Sequence, residues 1–143
     1  MKKATTKNAR NSDANQGMNW IRQSTRLAIY IRDGFSCAYC GRSIESHDIK
    51  LTLDHVQCNS NGGSNRPENL VTCCRQCNSS RGTRPMRSFA RSVAGYINHG
   101  ATAAEIVKHV NNTRKRKLSR AEARKIITAR GSVAKAIAAR TGK

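Results

Sequence analysis

"LTLDHVQCNSNGGSNRPENLVTCCRQCN", Leu51 to Asn78, decides how this chain is read. It places an Asp-His pair, a Gly-Gly turn, spaced asparagines and a close cysteine pair in one short span. Ile49, Leu51 and Leu53 alternate ahead of and into it, which predicts a short strand. "NGGSNRPE" is a turn-rich loop, and "NLVTC" predicts a second short strand. "RQCNSSRG" has the composition of a helix start. The expected order is strand, loop, strand, helix, with the helix entered through the cysteines.

Working outward, a second cysteine pair lies upstream. Cys37-Ala-Tyr-Cys40 and Cys74-Arg-Gln-Cys77 are both C-x-x-C. Two such pairs match a closed, tetrahedral four-thiolate Zn²⁺ site. A redox C-x-x-C needs only one pair and a thioredoxin-like setting. Cys73 lacks the x-x spacing to Cys77 and Cys58 has no spaced partner, so both are read as small buried residues. With aromatics at only 4%, a metal is the natural substitute for a large apolar core.

The charge balance narrows the partner. Lys and Arg number 27 against 8 Asp and Glu, a formal net charge of +19, which does not suit an ordinary enzyme of small metabolites. It points to a polyanion, most simply nucleic acid. An anionic membrane surface is the competitor, but no apolar stretch approaches spanning length. The basic start "MKKATTKNARNS" is not followed by an apolar run and does not read as a secretory signal. Six cysteines without an export signal predict a reducing, cytoplasmic setting.

Composition divides the chain into residues 1–19, expected to be a disordered basic tail, 20–83, which hold every cysteine, and 84–143, a basic helical extension. "WIRQSTRLAIYIRDG" predicts a helix stopped by Gly34. Met86, Phe89, Ala90, Val93 and Ile97 share a helical face that Gly100 closes. "TAAE" from Thr102 and "SRAE" from Ser119 read as capping boxes, and Gly131-Ser132 as the end of one helix and the cap of another. The run Arg114, Lys115, Arg116 and Lys117 is expected to contact DNA phosphates, with a solvated linker as the bland reading. Ile126, Ile127, Val133 and Ile137 are spaced for burial, which supports packing of these helices on the core instead.

The whole stretch from Leu51 to Gly82 resembles the HNH endonuclease motif of the zinc-bracketed kind, and "RDGFSCAYCG" is similar to the family's lead-in. The likeness runs from about Ile29 to Arg84. It implies an α+β fold with a small ββα-metal (His-Me finger) core, a four-Cys structural zinc site and here a helical extension. The family's first His falls on His55, its central Asn on Asn69, and its last position on Asn78, where Asn stands instead of His. Cys58 stands where many members carry Pro. The resemblance implies a metal-dependent DNA endonuclease leaving 5′-phosphate and 3′-hydroxyl ends, with Asn69 bracing the loop that orients His55. One such site nicks one strand; a homodimer or two nicks would break both.

The residues support that chemistry by themselves. A neutral imidazole is the natural base near pH 7, and His55 is the candidate. The Asp54 carboxylate and the Asn78 amide oxygen suit a hard Mg²⁺ or Mn²⁺ ion. Neighbours on a strand point to opposite faces, so Asp54 can face the ion while His55 faces the water. A lone Asp-His pair is more often a surface or capping pair; here its company between zinc pairs raises it above that. His47, His99 and His109 lack such company. Arg75 and Arg81, flanking the start of the predicted helix, are candidate phosphate contacts or solvated charges. The alternative function is a non-catalytic zinc-dependent DNA-binding module. An RNA-binding zinc protein fits the charge, but Trp20, Tyr30, Tyr39 and Tyr96 make no stacking platform. Phage packaging, intron mobility, restriction and defence all use this fold, which does not choose among them.

Overall fold

The computed structural model describes residues 20–58, 62–96 and 100–142. The expectations for the tail at 1–19, for Ile97 and for His99 lie outside these, as does the side chain of Tyr96. Helix α1 runs Gln23–Arg32, strand β1 Leu51–His55 and strand β2 Leu70–Cys74. Helix α2 follows at Arg75–Arg81, α3 at Met86–Tyr96, α4 at Ala103–Thr113, α5 at Arg120–Arg130 and α6 at Val133–Thr141. The strand, loop, strand, helix order read from Leu51–Asn78 is the order observed, with a short 3-10 turn, Pro67–Asn69, before β2.

The two strands pair antiparallel, with Leu51 opposite Cys74, Leu53 opposite Thr72, Asp54 opposite Val71 and His55 opposite Leu70. Because residues paired across an antiparallel ladder share a face, this register sorts the side chains into two sets. Leu51, Leu53 and Leu70 join α1, α5 and α6 in one apolar cluster, around Leu27, Ala123, Val133 and Ala136. Val71 and Cys73 face the other cluster, where the zinc-spaced cysteines meet Phe89 and Val93 of α3 and Ile106 and Val110 of α4. A two-stranded sheet cannot stand alone in water, and here both of its faces are covered.

The packing therefore does not break at residue 83. Helices α3 and α4 back the cysteine side and α5 and α6 back the α1 side. A polar hub ties the halves together. Arg32 pairs with Asp33 at 2.7 Å and also donates to the carbonyls of Leu70 at 2.6 Å, Pro67 at 3.0 Å and Arg114 at 3.2 Å. Asp33 in turn accepts from the Thr72 amide at 2.7 Å and from Thr113 Oγ1 at 3.1 Å. Buried charges are tolerated when each is paired and hydrogen-bonded, as here.

The caps follow the sequence. Thr102 and Glu105 form a full reciprocal capping box. Ser119 accepts from the Glu122 amide alone, so its box is half made. Gly131 ends α5 in the left-handed region at φ 103°, and Ser132 caps α6. No helix of the described residues is long and apolar enough to cross a membrane.

Candidate active site and metal centre

Cys37 and Cys40 lie on the turn after α1, Cys74 ends β2, and Cys77 lies in the first turn of α2. The four sulfurs fall within 4.8 Å of one another and all four residues are buried. Cys40 Sγ and Cys74 Sγ are 3.8 Å apart. Zn–S bonds of about 2.3 Å in a tetrahedron set sulfurs at roughly this separation. The Cys77 amide donates to Cys74 Sγ at 3.4 Å. Arg42 approaches from outside, with Nε 3.2 Å from Cys40 Sγ and Nη2 3.9 Å from Cys74 Sγ. Crowded together, the thiols perturb one another. Hydrogen bonding with Cys40 pushes Cys37 up, and bonding with Cys37 pushes Cys74 and Cys77 up while drawing Cys40 down. A divalent cation that takes all four as thiolates relieves this crowding, so the donor set fits zinc. Cys73 is fully buried and donates to the Cys74 carbonyl at 3.3 Å, outside the cluster. Cys58 is half-buried, 3.9 Å from Arg81 Nη2.

The Asp-His pair divides between the sheet faces. Asp54, 5% exposed, turns to the cysteine side. Its Oδ2 accepts from Tyr39 OH at 2.6 Å and is ion-paired to Arg81 Nη1. Burial pushes the Asp54 carboxyl above its ordinary value, against the pull of Arg81 and Tyr39. Burial and the neighbouring Asp54 charge push the Tyr39 phenol well up, so it stays a neutral donor. His55 turns to the other side. Its Nε2 meets Asn65 Oδ1 at 2.7 Å, and the Trp20 ring lies against it at 4.9 Å between centroids. An amide oxygen only accepts, so Nε2 is the donor in this pair.

The loop between the strands is held by Asn69. Its Oδ1 accepts from the Gln57 amide at 2.8 Å, and its Nδ2 donates to the carbonyls of Gln57 at 3.0 Å and Ser64 at 2.8 Å. The Asn69 carbonyl also accepts from the Val56 amide at 2.8 Å. Gly63 fits under this brace because it lacks a side chain: a Cβ there would stand 1.7 Å from the Gln57 carbonyl oxygen and 2.9 Å from Asn69 Nδ2.

Asn78 and Arg81 are three residues apart on α2 and so share a helix face, the one laid against β1. Asn78 Nδ2 makes a long contact, 3.5 Å, with the Leu53 carbonyl. Arg81 overturns its reading as a phosphate contact. It is 2% exposed, and its nitrogens serve Asp54, Tyr39 OH at 3.1 Å and the carbonyls of His55 at 2.8 Å, Val56 at 2.6 Å and Arg84 at 2.9 Å. A guanidinium spent on internal acceptors has no reach to a DNA strand. Arg75 is exposed, as are Lys115, Arg116 and Lys117. Arg114 is half-buried and tied to the Glu68 carbonyl at 3.0 Å and to Asn111 Oδ1 at 3.1 Å. His47 and His109 are exposed. Tyr39, Arg81, Asn65 and Trp20 belong to the site, and sequence reasoning gives none of them its place there. Tyr39 alone has a usable signal, its position between two zinc-spaced cysteines.

Residues 37–93 match the family model described as HNH endonuclease. Over 64 residues the chain is 36% identical to the CRISPR-associated endonuclease Cas9 of Corynebacterium diphtheriae, a match covering 44% of this chain and 6% of that protein. Over 67 residues it is 39% identical to the CRISPR-associated endonuclease Cas9 of Actinomyces naeslundii, covering 46% of this chain and 6% of that protein. The chain thus spans a small fraction of either relative's length. No solved structure matches it. The matched segment opens on the first cysteine pair, runs through the strand pair and α2, and closes in α3, so residues 37–93 of this chain are an HNH endonuclease domain.

Proposed function

We propose that the protein hydrolyses DNA phosphodiester bonds, with His55 as general base and Asp54 and Asn78 as protein ligands of a hard divalent ion. The observation that carries this reading is the seam between β1 and α2. It sets the Asp54 carboxylate beside the helix face that bears Asn78, while His55 hangs from the next position under its own loop. Tyr39 and Arg81 both bind Asp54 through Oδ2, so Oδ1 is the oxygen offered to an ion. Asn78 turns Nδ2 toward the Leu53 carbonyl, which leaves its Oδ1 for the same ion. Two oxygen donors suffice, because Mg²⁺ keeps several waters and takes its other ligands from substrate phosphate. Bound Mg²⁺ or Mn²⁺ supplies charge stabilisation at the phosphate and at the departing 3′-oxygen.

The residues of the chain divide the remaining work. His55 Nδ1 takes the proton of the attacking water. Asn65 fixes the tautomer through Nε2, and Asn69 fixes the loop that carries Asn65. The ends are a 5′-phosphate and a 3′-hydroxyl. A single site nicks one strand, and a double-strand break needs a second copy or a second nick. Substrate affinity comes from the exposed basic surface, including Arg75 and Lys115 to Lys117.

The test is incubation of zinc-loaded protein with supercoiled plasmid, with and without Mg²⁺ or Mn²⁺. Metal-dependent nicking is expected. His55→Ala should abolish it while DNA affinity stays nearly unchanged, because affinity resides in phosphate contacts elsewhere. Full nicking by His55→Ala would sink the mechanism. Absence of nicking by the wild type under every metal would leave a zinc-dependent DNA-binding module.

A further inference from the structure

Arg26, Arg32 and Arg81 are the buried arginines of the described chain. Arg32 has Asp33 and Arg81 has Asp54. Arg26, 8% exposed, has no carboxylate partner among the described residues. Its Nη1 donates to Tyr30 OH at 3.3 Å, and its guanidinium carbon lies 5.8 Å from the centre of the Trp20 ring. Burial pushes the Tyr30 phenol above its ordinary value despite Arg26, so Tyr30 stays neutral and does not supply the missing charge. Among the described residues, Arg26 Nη2 is buried without a hydrogen-bond partner, and so is Nε1 of Trp20. Two open buried donors therefore belong to side chains in contact with each other, and one of those side chains, Trp20, lies against the candidate base His55.

An unpaired buried guanidinium carries a heavy desolvation cost, and an orphaned indole N–H adds to it. The Tyr30 bond and the Trp20 ring contact leave these two donors unmatched. Both groups only donate, and together they carry one full positive charge, so the partner they lack is an anionic oxygen acceptor. Trp20 precedes α1 and belongs to no helix or strand, so its ring can leave His55 without breaking a regular element. His55 is 6% exposed, with the Trp20 ring packed against it.

We propose that Arg26 and Trp20 form a phosphate subsite beside His55, in which non-bridging oxygens of the bound DNA strand accept from Arg26 Nη2 and Trp20 Nε1. The subsite deepens the nuclease reading and rests on it for the identity of the anion. It makes Arg26 a phosphate-binding residue of the site, contributed by α1 outside the matched domain.

Trp20 is the single tryptophan of the chain, so its emission reports this place alone. Zinc-loaded, full-length protein is titrated with a short duplex in the absence of added divalent ion, so that no strand is cut. A change in Trp20 emission is expected. Arg26→Ala should remove most of it at saturating duplex, with zinc content and thermal unfolding recorded alongside. Arg26→Lys, which keeps the charge, guards against a folding defect and should also lose most of the response, because an ammonium lacks the planar fork. Inorganic phosphate alone should produce little change; a response equal to that of duplex would overturn the assignment to a strand. In the plasmid assay Arg26→Ala should slow nicking at saturating DNA about 100-fold. Added guanidinium should restore part of that rate, which a packing role would not allow. A wild type that gives the emission change but no nicking refutes the nuclease reading and leaves the subsite standing. Wild-type emission changes and rates in a folded Arg26→Lys variant would overturn the subsite and leave the nuclease reading intact.

Discussion

Arg81 Nη1 donates to the backbone carbonyl of His55 at 2.8 Å, and the same nitrogen binds the carboxylate of Asp54. One side chain of α2 thus clamps the strand end that carries both candidate catalytic residues. Arg81→Ala leaves Asp54 buried without its partner and should cost about 3–5 kcal/mol of stability. Arg81→Lys should recover little of that, because an ammonium cannot serve the carbonyls of His55, Val56 and Arg84 from one plane. Denaturant unfolding of zinc-saturated protein measures this. Unchanged stability with weaker DNA binding would return Arg81 to the role of a phosphate contact.

Metal removal should act on the fold before it acts on chemistry. Cys74→Ser opens the four-sulfur cluster, so zinc content should fall and cooperative unfolding should disappear, because structural zinc contributes folding energy outright. Cys58→Ser should retain wild-type zinc, since its sulfur lies outside the cluster. Elemental analysis of the purified variants decides, and equal zinc in the Cys74→Ser variant would remove the assignment.

Gly63→Ala tests the loop. The new methyl would collide with the Gln57 backbone, which cannot yield without releasing Asn69. Nicking should drop by at least tenfold while zinc content stays at the wild-type value. A variant of normal activity would show that the loop geometry is not needed to place His55.

The basic segment is better probed by charge than by truncation. Ending the chain at Asn112 removes Thr113, which donates to Asp33, together with the packing of Ala123, Val133 and Ala136 on α1. That truncation should lower Tm sharply and confound any reading of DNA affinity. Changing the exposed Lys115, Arg116 and Lys117 to Gln should instead leave stability within about 0.5 kcal/mol. The slope of log affinity against log salt should become shallower by about 0.9 for each DNA phosphate that the variant no longer neutralises. An unchanged slope would mean that this run does not touch DNA.

The capping box of α4 gives a pH dependence. The Thr102 amide and hydroxyl hold the Glu105 carboxyl below its usual value. A group whose folded pKa is depressed stabilises above its unfolded pKa and loses that contribution as pH falls. The wild type should therefore lose α4 stability as pH drops below about 4.5 and through the lower folded value. Glu105→Gln should be less sensitive in the same window. Thermal unfolding between about pH 3 and 6 compares them, and parallel curves would refute the linkage.

The elements that can be read from sequence are those specified locally. Alternation at Ile49, Leu51 and Leu53, the turn at Gly62-Gly63, the two cysteine spacings and the Thr102 cap each lie within a few residues of what they determine. Arg81 escapes such a reading because its partners include Asp54, His55 and Val56, up to 27 residues away, and nothing periodic links them. The break expected after Thr83 follows a change in composition, whereas Phe89, Ile106 and Ala123 show that burial ignores it. In the sequence Trp20 is only one apolar residue of a helical pattern, since its position over His55 depends on how α1 docks on the sheet.

Tyr39 stands between Cys37 and Cys40 of the four-sulfur cluster and reaches 2.6 Å to the Asp54 carboxylate. A metal held by these four cysteines would therefore also set the distance between a phenol and an acid at the proposed cutting site. Under the proposed activity, a newly made chain that has not yet acquired zinc has its carboxylate unplaced and is harmless to the genome around it. On that reading zinc supply would arm the enzyme, and zinc starvation would leave new copies unarmed without any inhibitor protein.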